Sequence, residues 1–285
     1  MAFKSEYRQF WQLIRPWQGC AWNCTFLWDK RVRLLALQVE WLCENLLGVC
    51  SMDKLLAFGD SVLKGVIYEN EHYKVIDTAF YRKCAETLGI VIENKAKFGS
   101  TINKGEKIFE RNLEAIRESS GEYVIMEFGG NDCDFNWKEI SEDPHGDHKP
   151  MSSIRDFTST YSYMIEQVKN MGKKPVLLSL PPIDSARYLK HISRGLSEDN
   201  IVKWMHNDRQ YITNWHERYN IEVFKIAIEN NIPVIDITTS FLEQKNYSDY
   251  LCDDGIHPNE KGHELIAEAI MQHVARKNIE FDRAI

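Results

Sequence analysis

Residues 54–65, Lys54-Leu55-Leu56-Ala57-Phe58-Gly59-Asp60-Ser61-Val62-Leu63-Lys64-Gly65, run an apolar β-prone stretch straight into a Gly-Asp-Ser turn. A short, nearly continuous apolar run stopped by glycine reads as a strand buried on both faces. Four more β-prone runs follow: IVIENKAKF (90–98), YVIMEFG (123–129), PVLLSL (175–180) and PVIDIT (233–238). Helical patterns near 73–88, 104–118, 154–171 and 199–230 separate them, and a last one lies near 259–277. Parallel neighbours can be joined only by long connections, usually helices, so this alternation predicts a parallel sheet inside a three-layer α/β/α sandwich. The segment 184–230 is longer than one crossover helix requires. Its aromatics (Tyr188, Trp204, Tyr211, Trp215, Tyr219) predict two helices that pack over the sheet or cap a pocket.

The 285 residues suffice for one large domain with a sizeable core. No apolar run approaches the roughly 20 residues of a membrane span. The net charge is −7 and the basic residues are scattered among acids, which argues against nucleic acid as the partner and for a small molecule. Seven cysteines without a CxxC pair indicate neither a disulfide framework nor a zinc site, but free thiols in a reducing compartment. No stretch has the form of a secretory signal, and the expected location is cytoplasmic.

Residues 1–51 differ from the rest. They hold five of the eight Trp and four of the seven Cys, and six Lys or Arg against four Asp or Glu give them a charge of +2. One expectation is that translation begins at Met52, with 1–51 an upstream extension. The alternative is a helical appendage, centred on residues 31–47, that binds a partner or a membrane surface through its aromatics. Residues 52–285 are expected to form the main domain.

Ligands of open α/β sheets bind at the carboxyl ends of the strands. There the runs end in Gly59-Asp60-Ser61, Gly99-Ser100 and Gly129-Gly130-Asn131-Asp132, and a later loop ends in Asp253-Asp254-Gly255-Ile256-His257-Pro258. These groups match the needs of acyl transfer. A serine hydroxyl needs a neighbouring base, and His257 is the candidate for Ser61. The imidazole needs a carboxylate on its other nitrogen to set its tautomer, and Asp254 stands three residues earlier. The tetrahedral intermediate needs donors aimed at its oxyanion, for which the N–H groups of Ser61 and Gly99 and the side-chain amide of Asn131 are candidates. No metal or other cofactor is required.

In these residues the chain resembles the SGNH hydrolase superfamily, which includes the GDSL esterases and lipases. LLAFGDSVLKG is similar to the first block, with Ser61 at the nucleophile position and Gly65 as the trailing glycine. Gly99 in KFGSTI resembles the oxyanion glycine, Gly129 to Asp132 the GxND block, and Asp254 to Pro258 the DxxHP block. Val62 replaces the leucine of GDSL, a mild apolar change, and Gly99 is placed by order and context. The resemblance spans roughly residues 54–275. It implies a flavodoxin-like five-stranded parallel sheet and a metal-free, two-step ester hydrolysis. Its DxxH spacing selects Asp254 over the neighbouring Asp253 as the orienting carboxylate. GGNDCDF and PPID stretches like those at 129–135 and 181–184 also occur in a group of bacterial proteins, which adds membership but no substrate.

Taken singly, each motif has an ordinary structural reading. GDS alone is a strand-to-helix turn with an Asp or Ser cap, and GGND and DGIHPNEKG are turns. Order and position at strand ends favour the joint catalytic reading. Asp60 is expected to organise the turn under Ser61, Asp132 to hold its loop or Asn131, and Cys133 to be a packed small residue. DPHGDH (143–148) invites a metal reading through His145, Asp147 and His148, but a solvated loop rimming the pocket is preferred. His191, His206 and His216 read as surface or packing residues. The function expected is a serine esterase acting on small acyl groups, such as an acetyl on a sugar. Acyl transfer, thioester cleavage or lysophospholipid hydrolysis at the same site are alternatives, and so is a catalytically silent binding module.

Overall fold

The computed structural model describes residues 53–283, and the readings of residues 1–51 fall outside them. Five strands form one parallel sheet: β1 (Lys54–Gly59), β4 (Val91–Asn94), β5 (Tyr123–Glu127), β6 (Lys174–Leu178) and β7 (Val234–Ile235), in the order β4-β1-β5-β6-β7. In chain order of the sheet's own strands this is 2-1-3-4-5, the flavodoxin-like arrangement. The expected sandwich and sheet are therefore both present.

Alternation along each strand builds two cores. Leu56 and Phe58 of β1 and Leu177 of β6 point into a cluster with Ile102, Phe109, Phe128, Phe157, Tyr161, Met164 and Tyr219. Ala57, Val176 and Leu178 point the other way, to Leu63, Phe80, Phe241 and Ile266. This period of two places apolar side chains on both faces, so each face must carry helices. The first layer holds α3 (Ile102–Glu110), α4 (Leu113–Glu118), α6 (Ile154–Asn170) and α9 (Tyr211–Glu229). The second holds α2 (Phe80–Leu88), α10 (Thr238–Leu242) and α11 (Glu260–Arg283). No helix of the described residues is long and apolar enough to cross a membrane.

Several elements differ from the expectations. The helix placed at 73–88 begins only at Phe80, because residues 66–75 form an antiparallel hairpin, β2 (Val66–Glu69) and β3 (His72–Val75). Its two turn residues, Asn70 and Glu71, both have positive φ (50° and 63°). That is the backbone of a tight hairpin turn, usually signalled by Asn-Gly, and glutamate in the second place hides it. The 90–98 run is a strand only to Asn94. Beyond it Lys95 and Lys97 still donate their amides to Ala57 O and Gly59 O (2.8 and 3.1 Å). The 233–238 run shortens to two residues before α10, and the 104–118 helix breaks into α3 and α4. The 184–230 segment contains three helices rather than two: α7 (Ser185–Ile192), α8 (Glu198–Trp204) and α9.

Candidate active site

β1 lies between β4 and β5, so the chain leaves β1 and β5 toward opposite layers and opens a crevice at their carboxyl ends. Into it the first turn delivers Ser61, the first residue of α1 (Ser61–Lys64). Asp60 is the N-cap, and its Oδ1 accepts from the Val62 amide at 2.9 Å. The Leu63 amide donates to Glu127 Oε2 (3.3 Å) and the Lys64 amide to Asp60 O (3.1 Å). The Ser61 amide is thereby left without an acceptor in that turn among the described residues.

The loop after α10 supplies the base. Cys252 donates its amide to His257 O (2.8 Å) and Leu251 bridges Pro258, which pinches residues 252–257 into a closed loop. Gly255 makes this possible. Its φ is 79°, and a Cβ there would sit 2.6 Å from both Asp184 O and Tyr188 N at the start of α7. Asp254 is fully buried, and its Oδ1 accepts the amides of Ile256 and His257 (both 3.2 Å). Its Oδ2 meets His257 Nδ1 at 2.6 Å, and His257 Nε2 meets Ser61 Oγ at 2.8 Å. Burial opposes ionisation of Asp254, but the bond and charge of His257 and the two backbone amides outweigh it and hold its carboxyl below the ordinary range. Asp253, the competing carboxylate, faces solvent.

The loop after β5 adds the amide. Gly129 (φ 142°) lets the chain pass Leu180, whose Cδ1 would lie 2.8 Å from a Cβ at that position. Asn131 Nδ2 then donates to Asp60 Oδ2 at 2.9 Å and the residue lines the crevice beside Ser61. Asp132 is buried and ties this loop down: Oδ1 accepts from the Ile102 amide (2.9 Å) and from Ser152 Oγ (2.6 Å). Burial raises its carboxyl to about 7. Cys133 is buried with its thiol on Gly130 O (3.2 Å), and burial pushes that thiol well up, so it is a poor nucleophile. Gly99 has φ 65° and makes no backbone hydrogen bond through its amide among the described residues. It flanks Phe98, which lines the crevice, but is not itself a lining residue.

The crevice opens into a cavity of about 250 Å³. Of the insert's aromatics, Tyr188, Tyr211 and Trp215 line it. Trp204 packs edge-on against Phe135 and Trp137 behind it, and Tyr219 lies in the core with its hydroxyl on Ser152 O. Two histidines read as surface or packing residues, His191 and His216, also line it. His206 instead sits at positive φ (57°) beside Tyr211. In the 143–148 stretch, His148 meets Asp143 O (2.7 Å) and Asp147 pairs with Lys149. No group of three or more His, Cys, Asp or Glu among the described residues could hold a metal ion.

Three lining residues had no motif to reveal them. Tyr73, on the unforeseen hairpin, stands 5.3 Å from the His257 ring and bonds His191 Nε2 through its hydroxyl (3.0 Å). Phe98 packs against Tyr73 (4.9 Å between rings) and stacks on His257 at 6.1 Å and 7°. Glu127 ends β5 and is buried beside Asp60. Its signal was available, since a charged residue inside an otherwise apolar buried strand calls for a partner.

The model of the GDSL-like Lipase/Acylhydrolase family matches residues 57–265, a span that contains Ser61, Asn131, Asp254 and His257. The chain belongs to this family. It is 23% identical over 231 residues to the uncharacterized lipoprotein YqeF of Bacillus subtilis (strain 168), covering 76% of this chain and 88% of the relative. It is 25% identical over 155 residues to the GDSL esterase/lipase CPRD49 of Arabidopsis thaliana, 53% of each chain. Among solved structures it resembles a lipase/acylhydrolase from Enterococcus faecalis, with TM-score 0.56 and 17% identity over 79% of this chain and 97% of that one. It also resembles a catalytic mutant of Axe2, an acetylxylan esterase from Geobacillus stearothermophilus, with TM-score 0.54 and 20% identity over 79% and 94%. At these identities the solved structures establish the shared fold.

Proposed function

We propose that this family member is a serine esterase that cleaves carboxylic esters of small acyl groups through an acyl-enzyme on Ser61. The observation that carries the reading is the unbroken relay from Ser61 Oγ to His257 Nε2 (2.8 Å) and from His257 Nδ1 to Asp254 Oδ2 (2.6 Å). With Nδ1 donating to a carboxylate, Nε2 is an acceptor, so it takes the hydroxyl proton as Ser61 Oγ attacks the ester carbonyl. The C–O bond of the tetrahedral intermediate then breaks, and His257 returns that proton to the departing alcohol. Water, deprotonated by the same imidazole, releases the acid and restores Ser61.

Negative charge on the carbonyl oxygen is met by the Ser61 amide and by Asn131 Nδ2, both of which line the crevice. Each aligned donor lowers the barrier by about 2.7–4 kcal/mol. A cavity of about 250 Å³ walled by Phe98, Tyr73, Tyr188 and Trp215 favours a short acyl chain and an alcohol with an apolar C–H face to lay on the aromatic walls, such as a sugar ring. The acetylxylan esterase Axe2 among the structural neighbours supports an O-acetylated carbohydrate as the substrate.

The test is a series of p-nitrophenyl esters of rising chain length and of acetylated sugars, run on the wild type and on Ser61→Ala. The wild type is expected to favour acetate, and a fluorophosphonate probe to label Ser61. Esterase activity that survives Ser61→Ala in a folded protein rejects the mechanism.

A further inference from the structure

Glu127 is buried, and so is Asp60, yet the reaction as derived uses neither side chain. Gly59 and Glu127 are register partners across β1 and β5, which sets the Glu127 carboxyl directly under the turn that carries Ser61. Glu127 Oε2 accepts the Leu63 amide, while Oε1 faces no donor among the described residues. The acid beside it is Asp60, also buried, whose carboxyl lines the same crevice and holds the Val62 amide of the same turn. Asp60 in turn has each oxygen engaged: Oδ1 by the Val62 amide, Oδ2 by Asn131 Nδ2.

Resting on the esterase reading, we propose that Glu127 is a positioning residue, whose carboxyl hydrogen-bonds Asp60 and so holds the Asn131 amide on the oxyanion.

Two adjacent carboxylates cannot bond one another without a proton, and burying both as anions is prohibitive. Glu127 carries the proton. Burial raises its carboxyl well above the ordinary range, and the adjacent Asp60 charge raises it further. Burial also raises Asp60, but its bonds from Val62, Glu127 and Asn131 favour the anion. The neutral acid therefore donates to the Asp60 carboxylate. That carboxylate, pinned from three directions, accepts one N–H of the Asn131 amide, which fixes the plane of the amide and the aim of its second N–H. Without the Glu127 donor, Asp60 would turn or take up a proton itself, and Asn131 would lose its anchor.

The experiment is a double-mutant cycle with p-nitrophenyl acetate. Glu127→Leu is expected to lower kcat by about 10²-fold, the lower end of the loss of one oxyanion donor, with KM within about twofold. Glu127→Gln, which keeps a donor for Asp60 and an acceptor for Leu63, is expected to restore most of that rate. In an Asn131→Ala background, Glu127→Leu should cost nothing further. An equal loss in Gln and Leu, or a Leu effect that persists without Asn131, overturns the proposal. Its failure differs from that of the esterase reading, which would appear as no ester turnover and no Ser61 labelling in the wild type. A readout independent of turnover is hydrogen exchange of the Asn131 side-chain amide, assigned by its disappearance in Asn131→Ala. Protection should be present in the wild type and in Glu127→Gln and lost in Glu127→Leu; protection unchanged in Glu127→Leu refutes the assignment.

Discussion

Replacing Asp254 by Asn isolates the part of the relay that sets the protonation of His257. In the wild type Asp254 Oδ1 accepts two backbone amides at 3.2 Å each, and Oδ2 faces His257 Nδ1 at 2.6 Å. An asparagine can keep both backbone bonds only by placing its carbonyl oxygen at the Oδ1 position. Its NH₂ group then faces Nδ1, which must become an acceptor. The imidazole proton moves to Nε2 and points at Ser61 Oγ, 2.8 Å away, so the base can no longer take the hydroxyl proton. The loop geometry is kept and the tautomer is wrong, a combination that costs about 10⁴-fold in kcat. At 1.36 kcal/mol per factor of ten, that is about 5.4 kcal/mol of barrier. Initial rates with p-nitrophenyl acetate near neutral pH measure it, with the rate of fluorophosphonate labelling as a second readout. Asp253→Asn, a change to an exposed carboxylate outside the site, is the control and should leave kcat unaltered. A loss of less than about tenfold in Asp254→Asn, or a comparable loss in Asp253→Asn, would refute the assignment.

Tyr73→Ala should raise KM about tenfold, the worth of one aromatic contact and the wall it completes beside His257, with a smaller effect on kcat; unchanged steady-state constants would remove the hairpin from the site. Met164→Ala empties a fully buried position in the core under β1 and should lower stability by about 2–5 kcal/mol in urea unfolding, with ester turnover retained below the transition. Burial lowers His263 from 6.5 to about 4, stacked on Phe80, so it stays neutral in the fold while the unfolded chain takes up a proton. Its contribution to stability is therefore present above pH 6.5 and lost as pH falls toward about 4. His263→Gln should flatten the fall of Tm over that window, and parallel Tm curves for the two proteins would refute it.

The β1 stretch with its Gly-Asp-Ser turn, the apolar runs at strands β5 and β6, and the spacing of Asp254 to His257 were legible in the chain itself. Each is a local pattern, in which the identity of a few neighbouring residues dictates the backbone. Strand boundaries were less legible, because residues 95–98 and 236–238 remain β-prone while sheet pairing stops where the partner strand ends. The hairpin at 66–75 escaped because Glu71 adopts a left-handed conformation with no glycine to announce it.

What tertiary structure alone decided is which side chains meet. The spacing of the DxxH block points to Asp254 rather than Asp253, and the closed loop supplies the physical reason, turning the one inward to the imidazole and the other to water. Tyr73, Phe98, His191 and Glu127 come to the site from four separate segments, each unremarkable in its own stretch of chain. Composition and periodicity report burial and backbone preference, which are properties of short segments. Proximity across a hundred or more residues is created by the parallel sheet, whose crossovers carry every strand back to the same edge.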